Sequence, residues 1–100
     1  MNITCREFTF ASPEGLALFC REFAPAAPRG TVLCLPGLTD NSRAFAALAR
    51  RLSDRYRVLT PDFRGRGQSG YAPDPLTYRP DVELADTLRV LDHLGIGRVA

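Results

Sequence analysis

The segment Thr31-Val32-Leu33-Cys34-Leu35 constrains this chain most. It is a short apolar run with a β-branched start, closed by Pro36-Gly37. A run without polar alternation suits a strand buried on both faces, as in a parallel sheet. Such a strand needs cover on each side, and the flanking segments can supply it.

Ile3 to Phe10 is rich in β-branched and aromatic residues, and Leu16 to Phe23 is similar. Ser12-Pro13-Glu14-Gly15 between them is turn chemistry, so the pair predicts a hairpin. After Pro36-Gly37 comes Thr39-Asp40-Asn41-Ser42, a cluster of helix-capping residues. Phe45, Leu48, Ala49 and Leu52 follow at helical spacing, which predicts an amphipathic helix over Arg43 to Ser53. Tyr56 to Thr60 reads as the next strand, and Pro61 to Pro80 as a long irregular segment rich in Pro and Gly. Loops of that length inside a compact domain are usually functional. Asp81 to Leu94 predicts a second helix, with Val82, Ala85, Leu88, Val90, Leu91 and Leu94 on its apolar side. Gly95 and Gly97 stop it. Arg98-Val99-Ala100 looks like a strand beginning. A hairpin followed by alternating strands and helices implies an α/β class with a mostly parallel sheet.

Composition excludes several classes. Apolar residues make up 45% and charged residues 24%, as in an ordinary globular chain. No apolar run approaches the ~18 residues of a membrane helix. The first residues lack the basic head and apolar block of a signal peptide. A cytoplasmic protein with no membrane partner is the expectation. All 13 basic residues are Arg, against 11 acidic residues, for a net charge of +2. Arg alternates with Asp and Glu along the chain, so a solvated surface is expected rather than a nucleic-acid stripe. Cys5, Cys20 and Cys34 are odd in number and lack C-x-x-C spacing, which argues against disulfides and zinc. They read as small core or strand residues.

Two motifs follow strands and so sit at the C-terminal edge of the sheet, where open α/β sheets bind ligands. Leu35-Pro36-Gly37-Leu38 lets the backbone turn and leaves amide N–H groups facing the crevice, donors of the kind an oxyanion needs. Its plainer reading is a strand-to-helix turn. In Pro61-Asp62-Phe63-Arg64-Gly65-Arg66-Gly67-Gln68-Ser69, Asp62 and Arg64 can pair to hold the loop, and Gly allows a tight path. Its plainer reading is a structural loop with a surface ion pair.

Together these segments resemble the N-terminal region of α/β-hydrolase-fold enzymes. That family shows a His-Gly pair after its third strand and an Asp-x-Arg-Gly-x-Gly-x-Ser segment after its fourth. Asp62, Arg64, Gly65, Gly67 and Ser69 match the second pattern at every defined position, and the resemblance covers essentially the whole chain. Pro36 stands where the family usually has His. The resemblance implies that Leu38 donates a backbone N–H to an oxyanion, with Gly37 beside it in the substrate-binding crevice. It makes Asp62, Arg64, Gly65, Gly67 and Ser69 a structural loop. It implies a two-step nucleophilic mechanism without cofactor or metal. Substrates are expected to be small esters, lactones or related carbonyl compounds.

The family's nucleophile sits on a G-x-S-x-G elbow after the next strand, with acid and His later still. No such pattern occurs here, so no triad residue is assigned. The expectation is a single domain over residues 1–100 that is the N-terminal part of a longer hydrolase, inactive and poorly folded alone. Two rivals remain. One is a non-catalytic binding or scaffold protein on the same fold. The other is a dinucleotide-binding domain, since Gly65 to Gly70 fits G-x-G-x-x-G. That site needs a helix to begin there, and Tyr71-Ala72-Pro73-Asp74-Pro75 does not start one promptly. Ser69 with His93 also suggests a nucleophile and base. However, His93 reads as a helix-end residue favoured by the dipole.

Overall fold

The computed structural model describes residues 3–35 and 46–100. Pro36, Gly37, Leu38 and the expected helix start at Arg43 lie outside the described residues.

Strand β1 (Ile3–Ala11) pairs antiparallel with β2 (Ala17–Pro25) along its whole length, from Ala11 opposite Ala17 to Ile3 opposite Pro25. The turn between them is fixed by local bonds. The Ser12 N–H donates to the Leu16 carbonyl at 2.9 Å, and the Ser12 hydroxyl accepts the Leu16 N–H at 2.9 Å. Gly15 takes a φ of 93°, a left-handed conformation that glycine adopts without strain. Strand β2 runs to Pro25, two residues past the sequence expectation, because the ladder with β1 continues to Ile3.

Strand β3 (Thr31–Leu33) is shorter than expected, although the Cys34 N–H still bonds to the Leu59 carbonyl at 2.9 Å. Helix α1 is described over Ala46–Leu52, followed by β4 (Arg57–Pro61). The order in the sheet is β1-β2-β4-β3, with β2 and β4 antiparallel and β4 and β3 parallel. The sheet is therefore mixed, with its parallel half on the β4–β3 side. No strand is formed over the expected Arg98-Val99-Ala100, but Ala100 is bonded to β3. The Ala100 N–H donates to the Thr31 carbonyl at 3.0 Å, and the Leu33 N–H donates to the Ala100 carbonyl at 2.9 Å. That pair of bonds is the parallel pattern and seats Ala100 beside β3, on the side away from β4.

Helix α2 (Pro80–Leu94) starts with Pro at its first position and ends at Gly95, where φ is 69°. There the Ile96 N–H reaches the Leu91 carbonyl at 2.9 Å, the closing bond of a Schellman motif. The two helices cover opposite faces, because side chains alternate along each strand. On β4, Leu59 packs with Phe10, Leu18, Cys20 and Val90 on the α2 side. Its neighbour Val58 packs with Cys34 and Ala49 on the α1 side. Both are fully buried, and truncating Leu59 to Ala would cost about 2–5 kcal/mol. Among the described residues no helix is long and apolar enough to cross a membrane.

Candidate active-site scaffold

The C-terminal end of β4 runs into the loop that the sequence singled out, and hydrogen bonds bind that loop to β2. Asp62 is buried, and its N–H donates to the Phe19 carbonyl at 2.9 Å. The Ser69 hydroxyl donates to the Asp62 carbonyl at 2.7 Å and accepts the Phe19 N–H at 2.9 Å. The Gly70 N–H donates to the Ala17 carbonyl at 2.7 Å. Within the loop, the Gly65 N–H reaches the Gly70 carbonyl at 2.8 Å, and the Asp62 carboxylate accepts the Gln68 N–H at 3.0 Å.

Two glycines are required by geometry. Gly67 has φ 52°, and a Cβ there would collide with the Asp62 carboxylate. Gly65 has φ 74°, and its Cβ would lie 2.6 Å from the Tyr78 ring. Tyr78 lies across Gly65 while its hydroxyl accepts the Ala72 N–H at 2.9 Å.

Arg64 is the centre of the assembly. Its side chain is 0% exposed, yet it carries a charge. The sequence suggested Asp62 as its partner, in a surface ion pair. The structure corrects both points. Asp62 spends one carboxylate oxygen on the Gln68 N–H, and Arg64 reaches two other segments instead. Its Nε and Nη2 each donate to an oxygen of Asp86 at 2.7 Å, a bidentate pair. Its Nη1 and Nη2 donate to Glu14 at 2.9 and 3.0 Å. Asp86 is buried on α2, while Glu14, in the hairpin turn, is half exposed. The Arg64 hydrogen bonds, helped by one from the Ser12 hydroxyl, hold the Glu14 carboxyl down to about 2. Asp86 and then Glu14 push the guanidinium further above its ordinary value. A buried guanidinium with two carboxylates meets the requirement that a buried charge be paired and hydrogen-bonded.

Asp86 and Glu14 were missed from the sequence. A signal for Asp86 was present. It lies four residues from both Val82 and Val90, so it interrupts the apolar stripe of α2. An acid on a buried face demands a buried cation. Glu14 offered no comparable signal, because it lies in an exposed turn.

The loop holds shape and offers no nucleophile. Both hydrogen-bonding functions of the Ser69 hydroxyl are committed to backbone. His93 stacks on Phe8 with ring centroids 5.4 Å apart, so it serves the edge of the α2 layer. The Gly65–Gly70 segment closes on itself and returns to β2. The next helical element after them is a 3₁₀ turn at Pro75–Thr77, so no helix begins on these glycines. That removes the dinucleotide reading. Burial pushes the Cys20 thiol up to about 12 and also raises Cys34, so neither is a poised thiolate, whereas Cys5 is exposed. Among the described residues no group of three His, Cys, Asp or Glu side chains is placed to hold a metal.

Comparison with known proteins agrees with this geometry. A crystal structure of an alpha/beta hydrolase from Novosphingobium aromaticivorans is similar, with a TM-score of 0.90 and 45% identity over 95% of this chain and 33% of that one. A serine hydrolase-like protein of Danio rerio is 40% identical over 63% of this chain and 19% of its own length. A 3-hydroxybutyrate-oligomer hydrolase of Cupriavidus necator is 35% identical over 68% of this chain and 23% of its own. The chain thus spans about a fifth of the length of these curated relatives. The family model for the alpha/beta hydrolase fold matches residues 30–100, and the chain belongs to the α/β-hydrolase-fold family.

Proposed function

We propose that this chain is the scaffold portion of a cofactor-independent hydrolase acting on a small ester, lactone or related carbonyl compound. The nucleophile, acid and base are supplied from outside these hundred residues. The observation that carries this reading is the seat of Ala100. It is bonded in the parallel pattern to Thr31 and Leu33, at the open side of β3. A strand continuing there ends at the same sheet edge as the loops after β3 and β4, and a nucleophile on its C-terminal turn faces the crevice between them. The 3-hydroxybutyrate-oligomer hydrolase and the serine hydrolase-like protein among the relatives support ester chemistry and a serine nucleophile.

In this reading the backbone N–H of Leu38, beside Gly37, is one oxyanion donor. The Arg64 loop stabilises the neighbouring wall. Leu38→Pro removes that N–H. In the full-length protein it is expected to lower kcat by about 10²–10³-fold with little change in KM. The decisive test incubates full-length protein with a fluorophosphonate probe and assays p-nitrophenyl esters and lactones. A single adduct outside residues 1–100, with turnover abolished by it, supports the proposal. No adduct and no turnover would make the protein a binder on a hydrolase fold. The hundred residues alone are expected to hydrolyse nothing. They are also expected to aggregate, because Leu35, Leu84 and Leu88 are 44%, 59% and 50% exposed.

A further inference from the structure

The arginines divide by whether they have an acidic partner. Arg6, Arg21, Arg57, Arg64, Arg66 and Arg79 each lie within ion-pair distance of a carboxylate. Arg29, Arg50, Arg51, Arg89 and Arg98 are exposed and have none among the described residues, and of these Arg89, on α2, donates to the Ala11 carbonyl at 3.4 Å. Arg55 has only its neighbour Asp54, at 3.7 Å.

Apart from Arg89, which sits at the end of β1, these arginines gather at one place, the rim at the N-terminal ends of the parallel strands. Arg29 lies two residues before β3, Arg55 two before β4, and Arg98 two before Ala100. The Arg29 N–H donates to the Arg55 carbonyl at 2.8 Å, so the two residues are side by side. Arg50 and Arg51 occupy the last turn of α1, and the Arg55 N–H bonds back to the Leu52 carbonyl at 3.1 Å. The helix dipole favours cations at a helix C-terminus and so accounts for Arg50 and Arg51. It does not account for Arg29, Arg55 and Arg98. Like charges held close together repel, and among the described residues only Asp54, 3.7 Å from Arg55, relieves them.

We propose that this rim docks an acidic segment of a partner protein. Guanidinium groups pair with carboxylates in a planar, bidentate fashion, and arginine is enriched at protein interfaces. Adjacent strands are about 4.8 Å apart. Arginines two residues before β3, β4 and Ala100 therefore match a few successive carboxylates rather than a long run of phosphates. Single-stranded nucleic acid also needs exposed aromatic faces for stacking, and the nearest ring, Tyr56, is half-buried. A membrane surface needs an apolar anchor. Among the described residues Leu84 and Tyr71 lie elsewhere, and the exposed Leu48, one turn before Arg51 on α1, is a single side chain rather than an anchoring patch. The rim is opposite the sheet edge of the proposed active site, so docking leaves that crevice open.

The test measures fluorescence anisotropy of a labelled short poly-glutamate peptide with full-length protein. Saturable binding is expected, weakening as salt rises from about 0.05 to about 0.3 M. Combining Arg29→Gln, Arg55→Gln and Arg98→Gln is expected to weaken it at least about tenfold. Arg79→Gln, away from the rim, should leave it unchanged. The triple variant's thermal melt verifies its fold. The proposal is overturned by no binding, by equal binding of the triple variant, or by tighter binding of oligo-deoxythymidine or phosphatidylglycerol vesicles than of the peptide.

Discussion

The two rims of the sheet treat the same residue type in opposite ways. At the C-terminal rim, Arg64 is withdrawn from solvent and its donors reach carboxylates from two other segments. At the N-terminal rim, Arg29, Arg50, Arg51 and Arg98 stand in solvent without acidic partners among the described residues. The first arrangement makes a guanidinium part of the interior framework, where losing it leaves a buried carboxylate uncompensated. The second leaves guanidinium groups whose removal costs the fold almost nothing. Charge alone therefore says little about what an arginine does, and burial together with partner count says a great deal.

The largest effect should come from breaking the buried side of that contrast. Arg64→Met strands Asp86 and is expected to destabilise full-length protein by about 3–5 kcal/mol in urea unfolding. Replacing Arg64 and Asp86 together with apolar residues should be much milder. If the single variant were as stable as wild type, the two rims would not differ. Next is Gly67→Ala, which combines a left-handed φ with a clash against Asp62. A loss of about 1–3 kcal/mol is expected, read as a lowered Tm.

Smaller still is the Glu14 arm, because half of its side chain is in solvent. Its carboxyl is depressed in the fold, so its contribution is complete above the ordinary value of 4.5 and fades as pH falls toward about 2. Glu14→Gln should cost no more than about 1 kcal/mol at neutral pH. It should also flatten the acid limb of the stability profile over that window. The smallest effect belongs to the free rim. Arg29→Gln or Arg98→Gln should change stability by within about 0.5 kcal/mol, and a larger loss would mean a partner inside the longer protein.

Much of the fold was legible because it rests on periodicity. The hairpin, both helices and the strand after the first helix follow from turn residues and apolar spacing, and where their ends lie within the described residues the structure moves them by a residue or two. Strand lengths were less legible. The ladder of β2 is extended by its partner β1, which lies outside any local window. The Asp62–Ser69 loop was visible as a pattern, yet its wiring was not. Arg64 pairs with Glu14 and Asp86, residues 50 and 22 positions away, and only the tertiary fold selects them over nearby Asp62. The clustering of arginines at one rim was hidden for the same reason. In sequence they alternate with acids, and only parallel register brings Arg29, Arg55 and Arg98 together.

The tie at Arg64 also bears on how the chain opens. A hairpin turn such as Ser12–Gly15 would ordinarily fray on its own, at little cost and far below the global unfolding free energy. Here its detachment strips a buried guanidinium of one of its two carboxylates. The turn, the loop after β4 and the middle of α2 should therefore open as one cooperative unit. Amide hydrogens of Gly15, Gly65 and Val90, which belong to three separate segments, would then exchange with a shared protection factor.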